Sequence, residues 1–203
     1  MTPAFEDRWL LVLDKPAGLP TQAARGGGDN LFDRARSGRP YVGLHHRLDT
    51  AASGLVLFTL DPAVNAAVAR ALREHAIERT YRAVLSGEVT SGRWDRPVDG
   101  VPARTDFTVV GARGGRAAVE LSLHTGRKHQ IRVHAALAGA PVLGDRRYGD
   151  EVARAFPRLA LHAARLGWTH PETGEALVVE SALPPELAAA WEGIVSPPRS
   201  PAR

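Results

Sequence analysis

Two short stretches carry residue types able to do chemistry together. The first is His46-Arg47-Leu48-Asp49, just ahead of Ser53-Gly54 and an apolar run. A carboxylate held at the edge of a rigid strand can act as nucleophile, general base or metal ligand. It can equally cap its own turn through neighbouring backbone amides, and Asp49 alone favours that structural role. The second stretch is Thr125-Gly126-Arg127-Lys128-His129-Gln130-Ile131-Arg132-Val133-His134. Cations and neutral donors crowd there at an expected helix start, an arrangement suited to phosphate or to a paired carboxylate. A solvated basic face, with Lys128 and Arg132 one turn apart, would explain the same residues without a site. His45, His46, His129 and His134 could also gather near Asp49 as metal ligands. No H-E-x-x-H or similar spacing accompanies them, so a metal-dependent hydrolase is the weaker reading and no metal is expected.

The elements that must position these groups follow from apolar patterning. Trp9 to Leu13 reads as a strand, stopped by Asp14-Lys15-Pro16-Ala17-Gly18. Gln22 to Asn30, with three successive glycines, reads as a loop and lacks the continuation of a phosphate-binding motif. Gly54 to Leu60 is a continuous apolar run of buried-strand length. Asp61 and Pro62 then open a helix as N-cap and first residue, with Val64, Val68, Ala71, Leu72 and His75 at helical spacing. Thr80 to Leu85 is a further strand, and Phe107 to Val110 and Ala118 to Leu123 flank a Gly-rich turn over 111–115 as a hairpin. The pattern predicts a helix over 128–138 with Ile131, Ala135 and Ala138 inward, ended by Gly139 and Pro141. Leu159 to Leu166 and Ala176 to Val179 are late strands, and Pro184-Pro185-Glu186 opens a last helix to about Ile194. Strands outnumber helices without a βαβ rhythm, so the expected class is α+β with a mixed, largely antiparallel sheet. No internal repeat or linker interrupts the pattern. A single domain is expected over 1–195, with a Pro/Ser/Arg-rich disordered tail over 196–203.

The 203 residues suffice for a core without disulfide or metal staples. The absence of cysteine removes thiol catalysis and thiolate metal sites. The N-terminal apolar run is too short and too acidic in its flanks for a signal peptide, and no stretch is long enough to span a bilayer, so a cytoplasmic protein is expected. The formal net charge is +4, and of 26 basic residues only Lys15 and Lys128 are lysines. Arginine's planar fork suits phosphate and base edges. Abundant Ala, Gly and Pro make a coding bias the simpler source of this composition, so the basic balance by itself decides little.

The decisive observation is an ordered set of motifs. His46-Arg47-Leu48-Asp49-Thr50-Ala51-Ala52-Ser53-Gly54 resembles the H-R-L-D-x-x-T-S-G motif of RluA-type pseudouridine synthases. Leu11 to Gly18 is similar to that family's opening strand and K-P-x-G turn, and Arg79-Thr80-Tyr81-Arg82-Ala83 to its K-x-Y-x-A segment. Gly126 to His134 resembles its G-R-T-H-Q-I-R-V-H helix start. Gly139 to Gly149 and Leu159 to Ala163 follow its later G-D-x-x-Y-G and R-L-x-L-H-A elements. The segments come in family order and cover the chain from about Leu10 to Leu187.

The resemblance implies a sheet flanked by helices with a central cleft, and an enzyme that isomerises a uridine of rRNA or tRNA to pseudouridine. It implies Asp49 as nucleophile, Tyr81 as the ring that stacks on the flipped base, and Arg132 as the partner of Asp49. Arg47, Arg127, Lys128, His129 and Gln130 are the expected RNA contacts. No cofactor is implied, because the reaction oxidises nothing and imports no group. Only about nine residues precede the first strand, so no N-terminal RNA-binding module is expected; a structured stem-loop would be read by the catalytic domain itself. The expected state is a monomer with no obligatory protein partner and no membrane contact. Ala52, Arg79 and Lys128 depart from the family's usual threonine, lysine and threonine or serine. Behind the runner-up metal-dependent hydrolase, the third reading is a catalytically silent RNA-binding or RNA-chaperone module, which would bind RNA with strong salt dependence yet show no turnover.

Overall fold

Strand β1 (Phe5–Glu6) pairs antiparallel with β2 (Leu10–Lys15), placing Phe5 opposite Val12. β2 in turn lies antiparallel to β4 (Ser53–Thr59), from Leu10 opposite Thr59 to Lys15 opposite Gly54. These coordinates are a computed structural model and describe residues 1–23 and 26–196. The chain divides into two compact units, one formed by Met1–Tyr81, Ser122–Thr125 and Leu161–Ala182, the other by Arg82–Leu121, Gly126–Ala160 and the segment from Leu183 onward.

In the first unit every residue of β4 is buried. That is why its sequence reads as an unbroken apolar run rather than an alternation. The short β3 (Gly43–Leu44) also pairs with β4, and β9 (Leu161–Thr169) runs parallel to it, with Ser53 opposite His162 and Gly54 opposite Ala163. β10 (Ala176–Glu180) closes antiparallel on β9. A 3₁₀ turn, Pro62–Val64, leads into α2 (Asn65–Arg73); the Asp61 side chain accepts from the Ala63 N–H, as the N-cap reading required. Val64 and Val68 join Leu10, Val12, Leu55, Leu57, Leu166 and Trp168 in one hydrophobic cluster. Leu11, Val56 and Phe58 are fully buried on the other face, so these strands are sealed on both sides.

α1 (Leu31–Arg36) also belongs to this unit. Its pattern is too short to stand out in the sequence, but Asn30 caps it by accepting from the Asp33 N–H. The loop expected over 22–30 is without helix or strand where described; Ala24 and Arg25 lie outside the described residues. So does the expected tail beyond Ser196.

The unit boundary falls within β5 (Glu78–Ser86), after Tyr81. In the second unit the strand order is β5, β8 (Arg116–Leu123), β7 (Thr105–Arg113) and β6 (Gly92–Trp94). The expected hairpin is present with a tighter turn. Gly114 and Gly115 both have positive φ, so two glycines suffice and the strands extend through Arg113 and Arg116. α4 (Glu151–Arg154) and α5 (Pro185–Val195) complete the unit, α5 matching the expected last helix.

Helix α3 (Gln130–Leu137) is shorter than the expected 128–138. His129 takes a left-handed conformation, φ 56°, which cannot continue a helix backwards, so Lys128 and His129 form a turn ahead of it. Ile131 and Ala135 are buried as expected, whereas Ala138 is exposed beyond the helix end. Arg132 is buried too, which removes the solvated basic face as its explanation. The class is the expected one: ten strands and five helices among the described residues, with mostly antiparallel pairings.

Candidate active site

The loop bearing Asp49 is tied down at nearly every residue around it. Its backbone closes a turn through Ala52 N–H donating to the Asp49 carbonyl at 3.1 Å. Thr21 brackets Leu48, donating to its carbonyl at 2.9 Å and accepting from its N–H at 3.1 Å. His46 accepts the Leu57 N–H through Nε2 at 2.9 Å, fastening the loop's entry to β4. Burial, then the charge of Arg79 and the neighbouring His45, hold His46 down to about 3, so it is a neutral acceptor at any physiological pH.

Lys15 does most of the tying. It is fully buried, and its Nζ donates to the carbonyls of Pro16 (3.0 Å), Leu19 (2.8 Å), Thr50 (3.2 Å) and Ala52 (2.6 Å). An ammonium has three N–H donors, so one is shared between carbonyls. The Thr50 carbonyl also accepts from Gly18 N–H at 2.8 Å. Ala52, which lacks the usual threonine hydroxyl, is 2% exposed and is held by its own backbone.

On the far side of the loop Ser53 meets His162 Nδ1 at 2.8 Å, and His162 Nε2 meets Ser181 Oγ at 3.0 Å. Ser181 donates to the Asp14 carboxylate, which can only accept. For a neutral imidazole that fixes the order: Nε2–H donates to Ser181, and Nδ1 accepts from the Ser53 hydroxyl. Gly54 must be glycine for a separate reason. Its φ is +113°, and a Cβ there would lie 2.3 Å from the Ala163 carbonyl oxygen where β4 abuts β9.

Tyr81 stands on β5 and is 7% exposed. Its hydroxyl is pushed above the ordinary tyrosine value, first by burial, with Arg79 opposing and the negative charge of Asp49 adding to the rise. Asp49 and Tyr81 are therefore within electrostatic reach of each other, as their expected roles require. Arg47 is exposed.

In the second unit Arg132 is gripped by Asp145, the aspartate of the Gly144-Asp145-Arg146-Arg147-Tyr148-Gly149 segment, to which the motif assigned no role. Its Nε donates to Asp145 Oδ2 and its Nη2 to Oδ1, both at 2.8 Å, with the Asp145 side chain fully buried. Burial alone would push Asp145 up, but the Arg132 hydrogen bond and the N–H groups of Tyr148 and Arg147 carry it below the usual value. The guanidinium lies over the Tyr148 ring, 5.2 Å from its centroid, and the Tyr148 hydroxyl meets His129 Nδ1 at 3.0 Å.

The expected RNA contacts divide. Arg127 and Lys128 are exposed, and Arg127 Nε donates to the Pro102 carbonyl. Gln130 is 3% exposed and its amide is spent internally, on the Arg104 carbonyl and Thr105 Oγ1 at 2.9 Å each and on Arg127 N–H at 3.1 Å. His134 is likewise enclosed between Thr105 Oγ1 and the Arg96 carbonyl. Among the described residues no group of three or more His, Asp or Glu side chains is placed to hold a metal ion, and no helix is long and apolar enough to cross a membrane.

A sequence model of the family described as RNA pseudouridylate synthase matches residues 9–137, well over half the chain. The chain belongs to the RNA pseudouridylate synthase family. It is 34% identical to a protein of Nitrosomonas europaea named ribosomal large subunit pseudouridine synthase D, over 97% of this chain and 66% of that one. It is 32% identical to the protein of the same name from Zymomonas mobilis, over 90% of this chain and 69% of the relative. A protein of Pasteurella multocida named ribosomal large subunit pseudouridine synthase C is 32% identical over 90% of this chain and 64% of its own length. The chain thus spans about two thirds of these relatives. Among solved structures, human RNA pseudouridylate synthase domain containing 4 superposes with a TM-score of 0.77 at 23% identity, covering 94% of this chain and 92% of that one. Human RNA pseudouridylate synthase domain containing 1 gives 0.72 at 26%, covering 92% and 86%. The pseudouridylate synthase fold is thereby established, and its framework includes Lys15, Asp145 and His162, which the motifs contain without a role, and Thr21, which lies outside them.

Proposed function

We propose that this chain isomerises a uridine of large-subunit ribosomal RNA to pseudouridine, with Asp49 as the nucleophile. The N1–C1′ bond breaks, the uracil turns, and C5 joins C1′; the C5 proton leaves and N1 gains one. No electron or group is imported, so the residues need only bind, orient and move protons. The observation that carries the reading is Asp49 on a loop fixed on both flanks, within electrostatic reach of a buried tyrosine.

A uracil inside a stem is out of reach of a carboxylate, so the nucleotide is flipped and stacked on an aromatic face. Tyr81 supplies that face, and its raised hydroxyl stays protonated through neutral pH, available as a donor. Arg132 is read as a catalytic residue on the strength of the family motif. Its Nε–Nη2 edge is anchored on Asp145, which orients the fork. Arg47, Arg127 and Lys128 are exposed cations suited to RNA phosphates. His129 orients Tyr148, and Gln130 shapes the start of α3 from within.

The substrate class follows the names of the relatives from Nitrosomonas and Pasteurella. The protein is read as a cytoplasmic monomer without an obligatory protein partner, which light scattering of the purified protein checks. The activity is tested with transcripts of large-subunit rRNA and of tRNA carrying tritium at uridine C5. Label release from the rRNA is expected. Release from tRNA alone would move the substrate, and release from neither would sink the reading.

A further inference from the structure

Among the described residues Arg79 makes no ion pair. Its Nε is sealed from solvent and has no hydrogen-bond partner. Glu78, its neighbour in the chain, is already taken by Arg165 at 2.9 Å. A buried N–H left unmatched is rare in folded proteins, and where it occurs it asks for an explanation in strain, in a bound water or ion, or in function.

The position of Arg79 says which acceptor. It lies two residues before Tyr81 on β5, so the two side chains share a strand face about 7 Å apart along the chain. Its charge acts on both Tyr81 and His46. A nucleotide stacked on Tyr81 brings its own phosphodiester along, and an unpaired guanidinium is the protein group best matched to that anion.

Resting on the pseudouridine synthase reading, we propose that Arg79, which is partly exposed, is a substrate-contacting residue, its guanidinium donating to a phosphodiester oxygen flanking the target uridine. Arg79 then fixes the phosphate while Tyr81 holds the base, so the nucleotide is located at two points before Asp49 acts.

The probe is the shortest large-subunit rRNA segment from which the wild-type protein releases C5 tritium, made with one neutral methylphosphonate on the 5′ or the 3′ side of the target. Arg79→Gln should weaken binding about tenfold and make the salt dependence of binding shallower by about 0.7–0.9 of a counterion, while thermal melting stays near wild type. Arg79→Lys keeps the charge and should recover most of that salt dependence. One of the two methylphosphonates should weaken binding to the wild type about tenfold yet leave Arg79→Gln unaffected. If both methylphosphonates cost the wild type and Arg79→Gln equally, Arg79 touches no phosphate and the proposal fails. A fall in kcat with unchanged binding would also overturn the proposal, placing Arg79 with Tyr81 rather than the substrate. Absence of any tritium-releasing RNA would instead remove the enzyme reading on which the proposal stands.

Discussion

Arg132 and Asp145 meet through two parallel hydrogen bonds, Nε to Oδ2 and Nη2 to Oδ1, each 2.8 Å long, with the carboxylate wholly buried. Planarity and charge make this a bidentate pair, and Asp145 also accepts the N–H groups of Arg147 and Tyr148 at 2.9 and 3.0 Å. Replacing Asp145 by Ala leaves a nearly buried guanidinium without this partner. A loss of about 3–5 kcal/mol in urea unfolding is expected. An Asp145→Ala protein as stable as wild type would show that the pair contributes nothing.

The buried ammonium of Lys15 stitches the Pro16–Leu19 turn to the carbonyls of Thr50 and Ala52. Lys15→Met keeps the stem and removes the donors, leaving buried carbonyls unmatched. It should cost about 3 kcal/mol and lower kcat more than it raises KM, because Asp49 loses its setting. Unchanged kcat in a folded Lys15→Met protein would contradict that role for the lysine.

Gly54 has no room for a side chain. Alanine there meets the Ala163 backbone at 2.3 Å in a conformation that L-residues rarely adopt. Gly54→Ala should destabilise by about 2–4 kcal/mol, measured as a drop in melting temperature. No drop would mean that the β4–β9 contact yields freely.

Acid stability has two windows. His46 stays neutral in the folded protein to about pH 3, whereas unfolded it binds a proton near 6.5. Between those values the unfolded state holds more protons, so stability falls as pH drops from 6.5 toward 3, by at most about 1.4 kcal/mol per unit. Asp145, lowered in the folded state, adds a further loss only below its ordinary value of 3.8. Chemical denaturation across pH 3–7 reads both. His46→Gln should flatten the upper window and leave the lower one; an unchanged upper slope would refute the assignment.

Much of this was legible in the sequence for physical reasons that can be named. β4 announced itself because both its faces are buried, and the 3₁₀ turn into α2 because Asp61-Pro62 is a start signal. The helix start near Gln130 was misplaced by two residues because nothing in the residue type of His129 foretells a left-handed backbone. Asp49 and Tyr81 could be named from their motifs. Asp145, Thr21 and His162 could not be given roles, since each acts on a residue 13, 27 or 109 positions away. Lys15 was hidden for another reason. A charged residue ending a strand reads as exposed, and only the four converging carbonyls explain its burial.

The central claim is that the Asp49 carboxylate performs the isomerisation. Asp49→Asn preserves the shape of the side chain and removes its charge, so folding and RNA binding should persist while turnover ends. Tritium release from C5-labelled large-subunit rRNA, measured side by side for the two proteins, tests this directly. Release is expected with wild type and none above background with Asp49→Asn. Release at the wild-type rate by the Asn variant would contradict it.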